Sequence, residues 1–319
     1  MRDKLAIFFL KYVEAATPEL CLKNFKKIEI KGKILLVGVG KASIPYCEKI
    51  KEKIKSQYEG IIISTKIKKI PNNLNEFKIF FAGHPIPDKN GLIASKYLID
   101  QVSKLGKNDL LIFFVSGGGS SLLPAPPIGF NLEDEINLNK KLIHSGMTIQ
   151  ETNLIRKHFS VIKGGRLARI AYPSRVKTYV VSDIPGDDLS QVSSGPTLPS
   201  FGKTSDAINC INKYDIILPK KILNHIKNSN NDTPSIKDKI FKNNYSYLVA
   251  SAKKSMNTTY NLAKLMDFEV IVISDQSQGY AVDLAKEHST FIKNYIKKNN
   301  IKNKNKKLCF FSGGRPRLK

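Results

Sequence analysis

The sequence predicts an α/β protein: a Rossmann-like, doubly wound, mostly parallel sheet domain joined to an incomplete second α/β domain. Three observations carry this expectation. Apolar runs such as Leu110–Val115 and Ile34–Val37 are too short for helices and show no polar face, which suits strands buried on both sides. These runs alternate with stretches of helical spacing along the chain, the order of an α/β architecture. The runs also end in loops of glycine, serine and aspartate, at the strand tips where open α/β sheets gather ligands.

The elements follow in order. Residues 3–22 have helical spacing, with Leu5, Phe8, Phe9, Tyr12 and Val13 on one stripe and Pro18 starting a new turn. A strand over Ile34–Val37 ends in Gly38-Val39-Gly40-Lys41-Ala42-Ser43, and a helix follows to about Lys55. Strands are expected at Ile61–Ser64 and Lys78–Ala82, the latter running into Gly83-His84-Pro85-Ile86-Pro87-Asp88. Asn90-Gly91 turns the chain before a helix over Leu92–Leu105. The strand Leu110–Val115 breaks into Ser116-Gly117-Gly118-Gly119-Ser120-Ser121.

A proline-rich passage, Pro124–Pro127, precedes a helix over Leu132–Ser145. Thr148 and Glu151 read as a capping box opening a helix over Ile149–Val161. Lys163-Gly164-Gly165-Arg166 interrupts it before Leu167–Ala171. A strand over Lys177–Ser182 leads into Asp183-Ile184-Pro185-Gly186-Asp187-Asp188, with a small-residue loop at Ser193–Thr197 beyond. Helical pieces fill 202–245, and the polar stretch Asn228–Asp232 is a candidate boundary. Strands recur at Tyr247–Ala250 and Val270–Ser274, with helices at Met256–Met266 and Val282–Lys297. The expected domains are 1–240 and 241–319. Leu308–Phe311 with Ser312-Gly313-Gly314 repeats the grammar of Leu110–Gly118, so the chain is expected to stop inside an element.

Composition bounds the function. The 319 residues have 41% hydrophobic content and a formal charge of +25. Arg2, Arg156, Arg166, Arg169, Arg175, Arg315 and Arg317 are the only arginines among 52 basic residues. The lysines are dispersed, whereas nucleic-acid surfaces cluster their cations and favour arginine. Nucleic acid is therefore not the expected partner, though the field favours anionic substrates. Cys21, Cys47, Cys210 and Cys309 are far apart without CxxC pairing, so reduced thiols in a cytoplasm are expected. No segment reads as a signal peptide or a membrane span.

The strand-end loops carry the chemistry. The Ser116–Ser121 loop lets backbone N–H groups approach an anion, and we read it as an oxyanion site for phosphate. Lys41 sits in a glycine turn at a strand end, suited to a phosphate or carboxylate; a tight turn with an exposed lysine fits the same residues. Neither standard nucleotide fingerprint fits. Leu35 replaces the first glycine of a Walker A loop, and Ser64-Thr65 stand where a ribose-binding acid belongs. Asp183, Asp187 and Asp188 are candidate Mg²⁺ ligands, or one is a general base, while Pro185-Gly186-Asp187 also reads as an ordinary turn. His84 and Asp88 flank a stiff loop and are either binding or structural residues. Lys163 and Arg166 form either an anion clamp or a solvated helix break.

Taken in order, five segments resemble the glycerate 2-kinase family of the MOFRL type, also labelled hydroxypyruvate reductase. They are Val37–Ser43, Ala82–Gly91, Val115–Pro126, Ile155–Ala168, and Val181–Asp188 with Ser194–Thr197. The resemblance covers roughly residues 5–200 and matches 245–314 more loosely, with Tyr280 departing from the family's glutamate. It implies ATP-dependent, Mg²⁺-assisted phosphorylation of D-glycerate to 2-phosphoglycerate in a two-domain protein. Lys41 matches the family's catalytic lysine, with Asp183 as its companion. The Ser116–Ser121 loop (Ser116, Gly117, Gly118, Gly119, Ser120 and Ser121), with His84, Asp88, Lys163 and Arg166, would bind substrate or phosphate. Asp183, Asp187 and Asp188 would hold the metal. The family continues past Ser-Gly-Gly into a segment with a Gly-Gly-Arg-Asn-Gln-Glu motif, so this chain is expected to be C-terminally truncated, and its competence with it. Expected partners are glycerate and ATP, with a homodimer as the candidate assembly. The rival readings are an NAD(P)H-dependent hydroxypyruvate reductase and a non-catalytic nucleotide-binding remnant.

Overall fold

The computed structural model describes residues 2–228, 232–301 and 307–317. The boundary expected at Asn228–Asp232 falls largely on 229–231, and the polar run after Lys297 largely on 302–306, both outside the described residues.

The chain separates into two compact units, one of Phe25–Val181 and Leu189–Leu248, the other of Met1–Asn24, Ser182–Asp188 and Val249–Lys319. A six-stranded sheet dominates the first. Its strands are β1 (Ile34–Val39), β2 (Tyr58–Ser64), β3 (Phe77–Phe81), β4 (Leu110–Val115), β5 (Arg175–Val181) and β6 (Tyr245–Ala250). Their spatial order is β3-β2-β1-β4-β5-β6. β1 pairs in parallel with β2 and β4, β2 with β3, and β4 with β5. This is the doubly wound arrangement, in which the order reverses between β1 and β4. Every residue of β1 and β4 is buried, which explains their uninterrupted apolar runs. Tyr46 stacks on Phe114 at 4.7 Å between ring centroids, fixing the helix Ser43–Lys51 over the sheet.

A second core lies beneath the helices of the same unit, where Leu138, Leu142, Ile155, Phe159, Ala207, Ile211, Ile222 and Ile226 pack together. The capping box expected at Thr148 is present, its side chain accepting from Glu151 N–H. The helix it opens ends at His158 rather than Val161, because Val161 N–H turns away to donate to Ala125 O at 2.9 Å. Hydrogen bonds from Lys213 and from Thr148 hold the Glu151 carboxyl down at about 2, below its ordinary 4.5. A depressed carboxyl stabilises the fold above its unfolded value and loses that contribution as pH falls through the folded one. Glu151→Gln is therefore expected to flatten the loss of stability between about pH 4.5 and 2, read as urea midpoints across that range.

The other unit contains a two-stranded parallel sheet, β7 (Glu269–Tyr280) and β8 (Leu308–Arg317). Both strands run longer than the sequence suggested. Pairing from Glu269↔Leu308 to Tyr280↔Arg317, with two register shifts, draws the polar segments Ser277–Tyr280 and Gly314–Arg317 into the ladder. Tertiary pairing here overrides weak local strand preference. Phe8 packs edge-on against Phe268 and Phe311, anchoring the helix Arg2–Glu14 on this sheet.

Candidate active site

The site begins where β1 and β4 end side by side. Ser116 N–H donates to Val39 O at 2.9 Å, Lys41 N–H donates to Gly117 O at 3.0 Å, and Ala42 N–H donates to Ser116 Oγ at 3.1 Å. Two strand-end loops are thereby joined into one backbone cradle. Glycine is required for the approach. Gly40 has φ +114°, and a Cβ on it would lie 2.6 Å from the Ser116 carbonyl oxygen, an impossible contact in a conformation that L-residues avoid.

Gly118 turns the second loop, with φ +92°. A Cβ there would lie 2.6 Å from His84 Cδ2 and 3.4 Å from Lys41 Cε. The glycine, the lysine and the histidine thus come together, although 43 and 77 positions separate Lys41 from His84 and from Gly118. Gly119 opens a one-turn helix, Gly119–Leu122, whose N-cap is Gly118 and which has no side-chain cap. Ser121 and Leu122 N–H donate to Gly118 O, which leaves the Gly119 and Ser120 amides as the first-turn groups with no acceptor inside the helix. They are suited to an anion beside a lysine.

The structure also places the other sequence candidates. Asp88 accepts from Gly91 N–H at 2.8 Å and caps the helix Lys89–Ser103. Lys163 is buried and pairs with Glu135 at 2.6 Å. Arg166 donates to the carbonyls of Lys157 and Lys163. Burial, and the neighbouring Arg169 charge, lower its guanidinium to about 10, which keeps it cationic at neutral pH. The turn carrying these two cations is tied to the Ser193–Thr197 loop through Gly164 N–H to Ser194 O and Gly165 N–H to Gly195 O.

The small-residue loop at Ser193–Thr197, together with Asn153, which the sequence did not single out, is bonded to the cradle. Ser193 Oγ donates to Ser116 O at 2.8 Å, and Ser194 Oγ lies 3.0 Å from Ser120 Oγ and donates to Asn153 Oδ1. Ser193 and Ser194 both have left-handed backbone, with φ 51° and 61°. The loop was marked by its small residues and by the resemblance of Ser194–Thr197, without a role for either serine; nothing marked Asn153.

Asp183 belongs to the other compact unit. There it lines a cavity of about 270 Å³ with Ser182, Ile184, Pro185, Ala252, Asp275 and Gly314. Asp275 was not singled out in the sequence. Asp187 has φ 54° in a turn whose N–H reaches Ile184 O. Among the described residues no three His, Cys, Asp or Glu side chains gather around one point. Asp183, Asp187 and Asp188 are thus not brought together as a three-ligand cage.

Residues 4–227 match the family described as domain of unknown function DUF4147. The chain belongs to the DUF4147 family. It is 33% identical over 273 residues to the D-glycerate 2-kinase of Thermotoga maritima, covering 85% of this chain and 64% of that protein. It is 34% identical over 257 residues to an Agrobacterium vitis relative bearing the name of a hydroxypyruvate reductase, covering 79% of this chain and 64% of the relative. The chain thus spans just under two thirds of the length of these relatives. The crystal structure of a glycerate kinase from Thermotoga maritima superposes with a TM-score of 0.82 at 28% identity, covering 99% of this chain and 74% of that one. Within this DUF4147 chain, the joined β1 and β4 loops lie inside the matched segment. So do Lys41, His84 and Asp183.

Proposed function

We propose that this chain is an ATP-dependent glycerate 2-kinase, transferring the terminal phosphoryl group of ATP to the 2-hydroxyl of D-glycerate. The observation that carries the reading is the meeting of Lys41, His84 and Gly118 at the switch point between β1 and β4. Its support from the relatives is their naming as glycerate 2-kinases.

The cradle fits a phosphate tail on two grounds: a Cβ on Gly118 would crowd the space beside His84 and Lys41, and the lysine there is a donor. Asp183 and Asp275 offer hard oxygen donors, the chemistry Mg²⁺ selects, and Mg²⁺ commonly takes only one or two carboxylates with the rest from phosphate and water. Lys41 holds a positive charge at the cradle's rim, placed for the charge that develops on the transferred group or for the glycerate carboxylate. Gly117–Ser120 orient the phosphate through N–H groups, and His84 closes one wall. Phosphoryl transfer asks mainly for such positioning and charge stabilisation. Four cysteines without a disulfide accord with a cytoplasmic setting, and among the described residues no helix is long and apolar enough to cross a membrane.

The reductase reading has the Agrobacterium relative's name in its favour. Against it, Ser64 occupies the tip of β2, wholly buried, with its hydroxyl donating to Gly40 O at 3.2 Å. A dinucleotide site keeps a carboxylate there for the ribose. A coupled assay with ATP, Mg²⁺ and D-glycerate is expected to give 2-phosphoglycerate, and NADH with hydroxypyruvate to give no oxidation. The opposite pair of results would replace the kinase by the reductase.

A further inference from the structure

The hydroxyl groups around the glycine loop have a direction that can be read. Asn153 is buried on the helix Ile149–His158, and its side-chain nitrogen donates to the Gln191 backbone carbonyl at 3.3 Å and to Gln191 Oε1 at 3.1 Å. A backbone carbonyl only accepts, so the Asn153 amide cannot be turned the other way without losing it. Its Oδ1 therefore faces Ser194, and an amide oxygen also only accepts. Ser194 Oγ must donate to it, across 3.1 Å. A hydroxyl carries one proton. In the 3.0 Å contact between Ser194 and Ser120, Ser194 is then the acceptor and Ser120 the donor.

Ser120 consequently has no proton left for a ligand. Ser121 obeys the same rule, because its hydroxyl donates to Gly118 O at 3.0 Å. Anion donation in this loop falls to the backbone and Lys41. What half-buried Ser120 offers is lone pairs.

We propose that Ser120 is a specificity-determining residue, accepting a hydrogen bond from the substrate hydroxyl that is not phosphorylated. The substrate class is a small acid with two hydroxyls, and its identity as glycerate rests on the kinase reading above. A carboxylate or phosphate would be met by Lys41 and backbone N–H groups, and a spare hydroxyl by Ser120. Ser194 and Asn153 are positioning residues that set the direction of Ser120's proton.

The test is calorimetric binding to the full chain of D-glycerate and of D-lactate, which keeps the carboxylate and 2-hydroxyl but lacks the 3-hydroxyl. The parent is expected to bind D-glycerate about tenfold more tightly, the usual weight of one neutral hydrogen bond. Ser120→Ala should reduce the preference to about twofold or less, through glycerate alone, and Ser120→Thr should restore it. Ser194→Ala, which frees Ser120's proton, should also lower it. Equal binding of the two acids by the parent overturns the assignment, as does a preference surviving in Ser120→Ala or no binding of either acid. A preference without phosphoryl transfer would remove the kinase reading and leave Ser120's role standing; transfer without a preference would do the reverse.

Discussion

Lys163→Met is expected to destabilise the protein by about 3 kcal/mol or more, the usual cost of removing one partner from a buried ion pair. Lys163 Nζ and Glu135 Oε1 are 2.6 Å apart, with side chains only 2% and 3% exposed. Methionine fills the space but leaves a carboxylate without its cation in a low-dielectric interior. Glu135 cannot simply withdraw, because its other oxygen accepts from Ala125 N–H at 3.0 Å. The half-buried Arg156 guanidinium feels the same carboxylate and softens the loss, which places the expected value at the lower end of the range of about 3–5 kcal/mol. Against a total stability of roughly 5–15 kcal/mol, that is a large fraction. Urea midpoints of the parent, Lys163→Met and the double variant Lys163→Met/Glu135→Gln check it. The double variant retains an acceptor for Ala125 and should recover much of the loss. A single variant within about 1 kcal/mol of the parent would mean that the pair contributes little.

That buried pair marks the limit of what the chain shows in one dimension. β1 and β4 were legible because a strand covered on both faces must be apolar throughout, as Leu110–Val115 is. The small-residue loops after them were legible because Gly40 and Gly118 are where the backbone must take positive φ. Lys163 was different. A lysine before Gly164-Gly165 looks the same whether water or a carboxylate faces it, and its partner lies 28 residues earlier, on the helix Leu132–His144. The roles of Asn153 and Ser194 were hidden for a related reason, since hydrogen-bond direction depends on which acceptor-only group stands at the far end. The lengths of β7 and β8 were understated because polar residues such as Gln278 and Ser312 join a ladder only once a neighbour presents its edge. Local pattern gave the strands and their tips; partners remote in sequence decide what each side chain does there.

Lys41→Ala is expected to lower phosphoryl transfer by about 10²–10³-fold, the range found when one preorganised donor to developing charge is deleted. The side chain is exposed, while the backbone N–H to Gly117 O bond that joins the two loops does not need it. Its removal should therefore change stability by no more than about 0.5 kcal/mol, as for a surface substitution. This separation makes the variant informative: a kinetic loss without a thermal one assigns the effect to charge at the cradle rather than to a damaged fold. Lys41→Arg keeps the charge but carries a broader, planar head with a different hydrogen-bonding geometry. It should recover part of the rate, and chiefly kcat if Lys41 acts on the transferred group. Recovery confined to KM would place Lys41 on the glycerate carboxylate, because a group bound equally in ground and transition states changes KM alone. Turnover of Lys41→Ala equal to that of the parent would exclude the side chain from the reaction and, with it, the reading of the β1 tip as the phosphate end of the site.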